Sequence, residues 1–159
     1  MISGRRMFRR NLPHYQSDFR TYFVTFATAS RWILPPIARD LTMRHIVFDH
    51  GRRVHLHAAV VMPDHVHLLF TPLLDHSGWC YSLSLVLKGL KGSAARSINK
   101  ALHRNGSVWQ HESFDHELRR DEDCRLKSEY ICANPVRKGL VSNRDNYRWI
   151  WREWIEGAT

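Results

Sequence analysis

Two apolar runs of strand composition, Arg52 to Met62 and His65 to Thr71, are separated only by Met62-Pro63-Asp64. Pro and Asp at that point supply turn chemistry, so the two runs should pair as a hairpin in the middle of the chain. Side chains on a strand alternate between faces. Val66, Leu68 and Phe70 can therefore enter a core while His65 and His67 point to the opposite face.

The remaining elements are arranged around that hairpin. Tyr22-Phe23-Val24-Thr25-Phe26 is aromatic and β-branched and reads as a strand. Pro35-Pro36 stops it and can open a helix, with Ile37, Leu41, His45 and Phe48 at helical spacing and Gly51 just past its end. Tyr81 to Leu102 carries Leu83, Leu87, Leu90, Ala94 and Ile98 at three- and four-residue steps, the pattern of a long amphipathic helix. Asn105-Gly106 ends that region, and Phe114 to Arg119 is a fourth strand. Asp121 can cap a last helix that runs to Asn134, where Pro135 ends it. The order β-α-β-β-α-β plus one helix predicts an α+β protein of the ferredoxin-like, split β-α-β type. Its sheet should be antiparallel with two helices on one face, and an extra C-terminal helix should carry Tyr130.

At 159 residues the chain is long enough for one domain with a proper core. It divides into a basic arm (1–20), a single folded unit (21–141) and a tryptophan-rich tail (142–159). No apolar run is long enough to span a bilayer, and the first residues, Met1 to Arg6, lack the pattern of a secretory signal. Cys80, Cys124 and Cys132 are odd in number and without paired metal spacing, so they read as reduced thiols of a cytoplasmic protein. The net charge of +9 favours a polyanionic partner. Cations available to phosphates are Arg5, Arg6, Arg9 and Arg10 in the arm and Lys88, Lys91 and Arg96 on the long helix, which read equally well as solvated surface.

Two imidazoles two residues apart on one sheet face can ligate one metal ion, so His65 and His67 are candidate ligands; the plainer reading is a pair of polar residues on a solvated face. His55-Leu56-His57 has the same spacing and reads as the exposed side of the preceding strand, farther from the turn. Tyr130 and Asn134 stand four residues apart, on one face of the last helix. A phenol is a weak nucleophile at neutral pH, and a metal polarising a phosphate, or a base, would make its attack feasible. The amide oxygen of Asn134 offers a further hard ligand. Against this, Tyr130 can be a core aromatic and Asn134 a helix terminator.

Met62-Pro63-Asp64-His65-Val66-His67-Leu68-Leu69, followed by Tyr130-Ile131-Cys132-Ala133-Asn134-Pro135-Val136-Arg137-Lys138-Gly139-Leu140-Val141, resembles the single-tyrosine HUH transposases, in particular their REP-associated branch. Tyr22 to Phe26, Lys88-Gly89-Leu90-Lys91-Gly92, Trp109-Gln110 and Phe114-Asp115 extend the likeness over roughly residues 9–141. The resemblance implies an antiparallel sheet with flanking helices, His65 and His67 as metal ligands, Tyr130 as nucleophile, and Asn134 as a polar third ligand. It implies magnesium or manganese as the ion and single-stranded or hairpin DNA from repetitive palindromes as partner. The implied reaction is transesterification, with a 5′-phosphotyrosine link and a free 3′-hydroxyl. Monomer and homodimer both stay open. Two rival readings are a domesticated DNA-binding protein with little catalysis, and a small metal-dependent hydrolase or zinc module. The second leaves Tyr130 without a role. The tail, Tyr147-Arg148-Trp149-Ile150-Trp151-Arg152-Glu153-Trp154, departs from the family pattern; its tryptophans suit core packing or stacking on unpaired bases.

Overall fold

The computed structural model describes residues 20–119 and 123–153. The predicted arm, residues 1–20, with Arg5, Arg6, Arg9 and Arg10, lies outside the described residues except for its last position, and so does Trp154. Five strands form one antiparallel sheet: β1 (Tyr22–Ala27), β2 (Val54–Val61), β3 (His65–Pro72), β4 (Phe114–Glu117) and β5 (Ile150–Arg152). Their spatial order is β4-β1-β3-β2-β5. The first four strands have the ferredoxin-like order, and β5 is added beside β2.

Alternation sorts the strand residues into two cores. Val24, Phe26, Leu56, Ala59, Val61, Val66, Leu68 and Phe70 face α1 (Pro36–Phe48) and α2 (Leu83–Leu102) in the larger core. Ala58, Val60, Met62 and Leu69 face the other way and meet Ile131 and Cys132 of α3 (Cys124–Cys132) in a smaller one. Two helices thus cover one face, as expected, and the tyrosine-bearing helix covers the opposite one.

The face of α1 differs from the expected one. Its buried residues are Ala38, Thr42 and Ile46, whereas Ile37 and Phe48 are exposed. Small residues at 38 and 42 let the helix approach its neighbours closely, and the buried Thr42 hydroxyl is satisfied by donating back to the Ala38 carbonyl. The Arg52 guanidinium covers the exposed Phe48 ring at 4.0 Å. On α2 the expected apolar stripe is the buried one: Leu87, Leu90, Ala94 and Ile98, joined by Val86.

The last helix also differs from expectation. Asp121 lies outside the described residues, and Asp123 caps α3, accepting from the backbone N–H groups of Arg125 and Leu126. Asp123→Ala should therefore cost about 1 kcal/mol, read as a lower urea midpoint. The helix stops at Cys132. Pro135 then stands in the first turn of a short helix α4 (Asn134–Arg137), where its missing N–H costs nothing, instead of terminating α3.

The tail residues up to 153 join the fold. Tyr147 is buried and donates its hydroxyl proton to the Val61 carbonyl at 2.7 Å. Trp149 and Trp151 pack against the larger core, and the Trp149 indole N–H donates to Asp40. For these two tryptophans, packing is the reading that holds.

Candidate active site

The β2–β3 turn is held from several sides. The backbone N–H of Met62 donates to the His65 carbonyl, that of Thr28 to Asp64, and that of Leu34 to Pro63. This fixed turn presents Asp64 and His65. The Asp64 carboxylate accepts from His65 Nδ1 at 2.8 Å on one oxygen and from Arg31 Nε at 3.0 Å on the other. Burial works against the charged Asp64, yet the hydrogen bonds from His65 and Arg31 and the Arg31 charge outweigh it and hold its pKa below the ordinary value. Since ionised Asp64 can only accept, the proton of a neutral His65 sits on Nδ1, and Nε2 carries a free lone pair.

His67 lies on the same face, one pleat farther into the sheet, opposite Thr25 on β1 and Val60 on β2. Its Nδ1 shares a 2.7 Å hydrogen bond with the Thr25 hydroxyl, its ring stacks on Phe23, and the two histidine rings meet edge to face with centroids 4.8 Å apart. Burial, followed by the charges of His65, Arg137 and Lys138, pushes the His67 pKa down to about 3. The ring therefore stays neutral across the physiological range, as a metal ligand must. Both imidazoles have Nδ1 engaged by the protein and Nε2 without a hydrogen-bonding partner among the described residues. That is how proteins orient metal-binding histidines, so the donor set fits a cation.

The His67 shift has a consequence for stability. The unfolded chain protonates this ring below about pH 6.5, while the fold resists protonation until near pH 3. The unfolded state therefore binds more protons in that window, and stability falls with pH, by up to about 1.4 kcal/mol per pH unit from this group. In chelator-treated protein the urea midpoint should drop from pH 6.5 towards pH 4, and His67→Asn should flatten that slope.

Tyr130, on α3, is 55% exposed, which excludes the core-aromatic reading. The Lys127 ammonium lies 5.1 Å from the Phe23 ring and 5.5 Å from the Tyr130 ring. Phe23 itself stacks on His67, so α3 brings Tyr130 to the histidine face of the sheet. The Arg137 guanidinium lies over the Tyr130 ring, 3.9 Å from its centroid, donates to the Tyr130 carbonyl at 2.9 Å, and donates to Asn134 Oδ1 at 3.0 Å. Arg137 thus spans the break between α3 and α4 and fixes both residues. Asn134 is only 3% exposed, and its Nδ2 is buried without a partner among the described residues. The orphaned Nδ2 is a donor that an acceptor oxygen, such as one of a phosphate, could satisfy, while the Oδ1 of the same amide is engaged by Arg137.

Other residues fall elsewhere. Lys88, Lys91 and Arg96 ride on α2, across the sheet from Tyr130 and the histidine pair. The Lys91 ammonium donates to the carbonyls of Gln110 and His111 and to the Ser113 hydroxyl. His55 and His57 are not simply the exposed side of β2, because both bond to Glu153. Sequence reasoning missed Asp64, Thr25 and Arg137 as parts of the site. A carboxylate directly before the first histidine, and a cation seven residues after the tyrosine, were the signals available.

Comparison with known proteins places this geometry in a family. The family model described as "Transposase IS200 like" matches residues 42–133, more than half of the chain. A Haemophilus influenzae protein provisionally named a REP-associated tyrosine transposase is 29% identical over 93 residues, 53% of this chain and 51% of its own length, so the match spans about half of that relative. The REP-associated tyrosine transposase of Escherichia coli K12 is 27% identical over 140 residues, 79% of this chain and 76% of its own. A solved REP-associated tyrosine transposase bound to a REP hairpin has the same fold, with a TM-score of 0.62 at 22% identity over 83% of this chain and 76% of that one. Sequence, fold and family model agree: the chain belongs to the IS200-like transposase family and resembles its REP-associated tyrosine branch.

Proposed function

We propose that this protein nicks and rejoins single-stranded DNA through a covalent link to Tyr130. The observation that carries the reading is the juxtaposition of an exposed phenol with two imidazoles whose Nε2 atoms have no hydrogen-bonding partner among the described residues. His65 and His67 would hold magnesium or manganese, and the ion would polarise the scissile phosphate. Tyr130 attacks phosphorus; the Oη–P bond forms, the P–O3′ bond breaks, the phenol gives up its proton and the 3′ oxygen takes one up. A 5′-phosphotyrosine and a free 3′-hydroxyl result, and attack by a DNA 3′-hydroxyl reverses the step. One phosphodiester is exchanged for another, so no nucleotide cofactor is required. Arg137 holds the Tyr130 ring from one side and the Asn134 amide from the other. Small errors in such placement are costly to catalysis.

The partner proposed is single-stranded or hairpin DNA from repetitive palindromes, in line with the hairpin-bound relative. None of the described helices is long and apolar enough to cross a membrane. Basic residues of the arm, with Lys88 and Arg96, would contribute through phosphate charge alone, and the protein would act in the cytoplasm, where its thiols stay reduced. Incubation with hairpin-bearing single strands and manganese should give a covalent protein–DNA species and binding that weakens steeply with salt. Equal action on a blunt duplex, or a flat salt response, contradicts the reading.

Asn134 is the proposed third ligand, through the second lone pair of the Oδ1 that also accepts from Arg137. Asn134→Ala should raise the manganese concentration for half-maximal cleavage by about tenfold, with DNA binding little changed, and Asn134→Asp should keep metal binding. An unchanged midpoint with a lower melting temperature would make Asn134 a structural residue only.

A further inference from the structure

We propose that His55, His57 and Glu153 form a second metal site, for a zinc-like ion, that clamps the C-terminal strand to the sheet. The three come from two places in the chain. Between Leu56 and Ala58 the β2–β3 register shifts, and His57 is the extra residue of that irregularity. Glu153 follows β5, and its backbone N–H donates to the His57 carbonyl at 3.0 Å, continuing the β5–β2 pairing by one residue. This brings its carboxylate between the rings: one oxygen is 2.8 Å from His55 Nε2 and the other 2.6 Å from His57 Nδ1. One donor atom from each of the three lies within 4.8 Å of the others.

Two imidazole nitrogens and a carboxylate oxygen are the donors that zinc takes, whereas a magnesium site is built mainly from oxygen. The surroundings suit such a site. His57 Nε2 is hydrogen-bonded at 2.8 Å to the Thr71 hydroxyl, which is in turn 2.7 Å from the Thr21 hydroxyl, so the ring is oriented through the atom that would not bind the ion. His55 is held edge-on by His50. The His55 side chain is 45% exposed, which leaves an open side for a water or other fourth ligand. Binding needs no net loss of protons. Each neutral ring shifts its N–H to the other nitrogen, and the His57 proton then points at the Thr71 oxygen, a competent acceptor.

This site is separate from His65 and His67. On β3, Thr71 stands four residues from His67, about 13 Å along the strand. Its role would be mechanical: the ion would join residues nearly one hundred positions apart and couple metal binding to docking of the tail.

The test uses the full chain with His65→Ala and His67→Ala together, which silences the first site, after chelator treatment. Titration with zinc chloride by calorimetry should show one ion bound per chain, and zinc should raise the melting temperature. Adding Glu153→Gln, which keeps the shape and backbone pairing, or His55→Asn at the exposed position, should weaken zinc binding by about tenfold or more and abolish the thermal shift. No zinc binding by the doubly substituted chain, or equal binding after Glu153→Gln and His55→Asn, overturns the proposal and leaves a hydrogen-bonded clamp.

Discussion

Tyr130→Phe is expected to fold, to bind hairpin DNA as the parent does, and to form no covalent adduct. The change removes one oxygen from a side chain that is 55% exposed and whose hydroxyl makes no hydrogen bond among the described residues, so its effect on stability should stay within about 0.5 kcal/mol. The Arg137 and Lys127 contacts are to the ring face, and phenylalanine keeps them in weakened form. The reaction, by contrast, would have lost its proposed nucleophile. Removal of such a group lowers turnover by about 10⁴-fold or more, below detection in a gel assay. Adduct formation by this variant would transfer the nucleophile to another residue. Loss of DNA binding together with the adduct would show a structural defect instead.

His65→Ala and His67→Ala are expected to abolish metal-dependent cleavage by separate routes with one outcome. His65→Ala removes a proposed ligand at the turn and leaves Asp64 paired with Arg31, so the fold should be little affected. His67→Ala removes a proposed ligand, the Thr25 hydrogen bond and the Phe23 stack, and should also cost about 1–3 kcal/mol of stability. Alanine at His55 or His57 should lower stability through loss of the Glu153 contacts while cleavage at saturating manganese persists. Cleavage measured against manganese concentration for all four variants checks this. Retention by the His65 and His67 variants, with loss in the other two, would move the catalytic centre to the opposite end of the hairpin.

Much of this architecture is legible in the sequence because periodicity is a direct image of burial. Val66, Leu68 and Phe70 alternate with His65 and His67, and the sheet keeps that alternation. The α2 stripe is read nearly residue for residue for the same reason. On α1 the buried face is small and partly polar, Ala38 and Thr42, while Ile37 and Phe48 are larger and face solvent, so hydrophobicity alone points one position away. The end of α3 is misjudged because a proline can stop one helix or start the next, and only the backbone at Ala133 decides. Tertiary partners are the least legible. Nothing local announces that Lys91 serves the 110–113 loop, that Arg137 grips both Tyr130 and Asn134, or that Glu153 meets His55 and His57 across 98 and 96 positions. Such pairings depend on where distant segments land.

The central claim is that Tyr130 becomes covalently attached to DNA. Its most direct measurement is mass spectrometry of the adduct formed with a hairpin-bearing single strand and manganese, after protease and nuclease digestion. The expected product is a phosphate-linked nucleotide on the oxygen of Tyr130, joined through its 5′ position, with a matching 3′-hydroxyl on the released strand. A modification on any other residue, or cleaved DNA bearing free 5′-phosphates and no protein link, would contradict it.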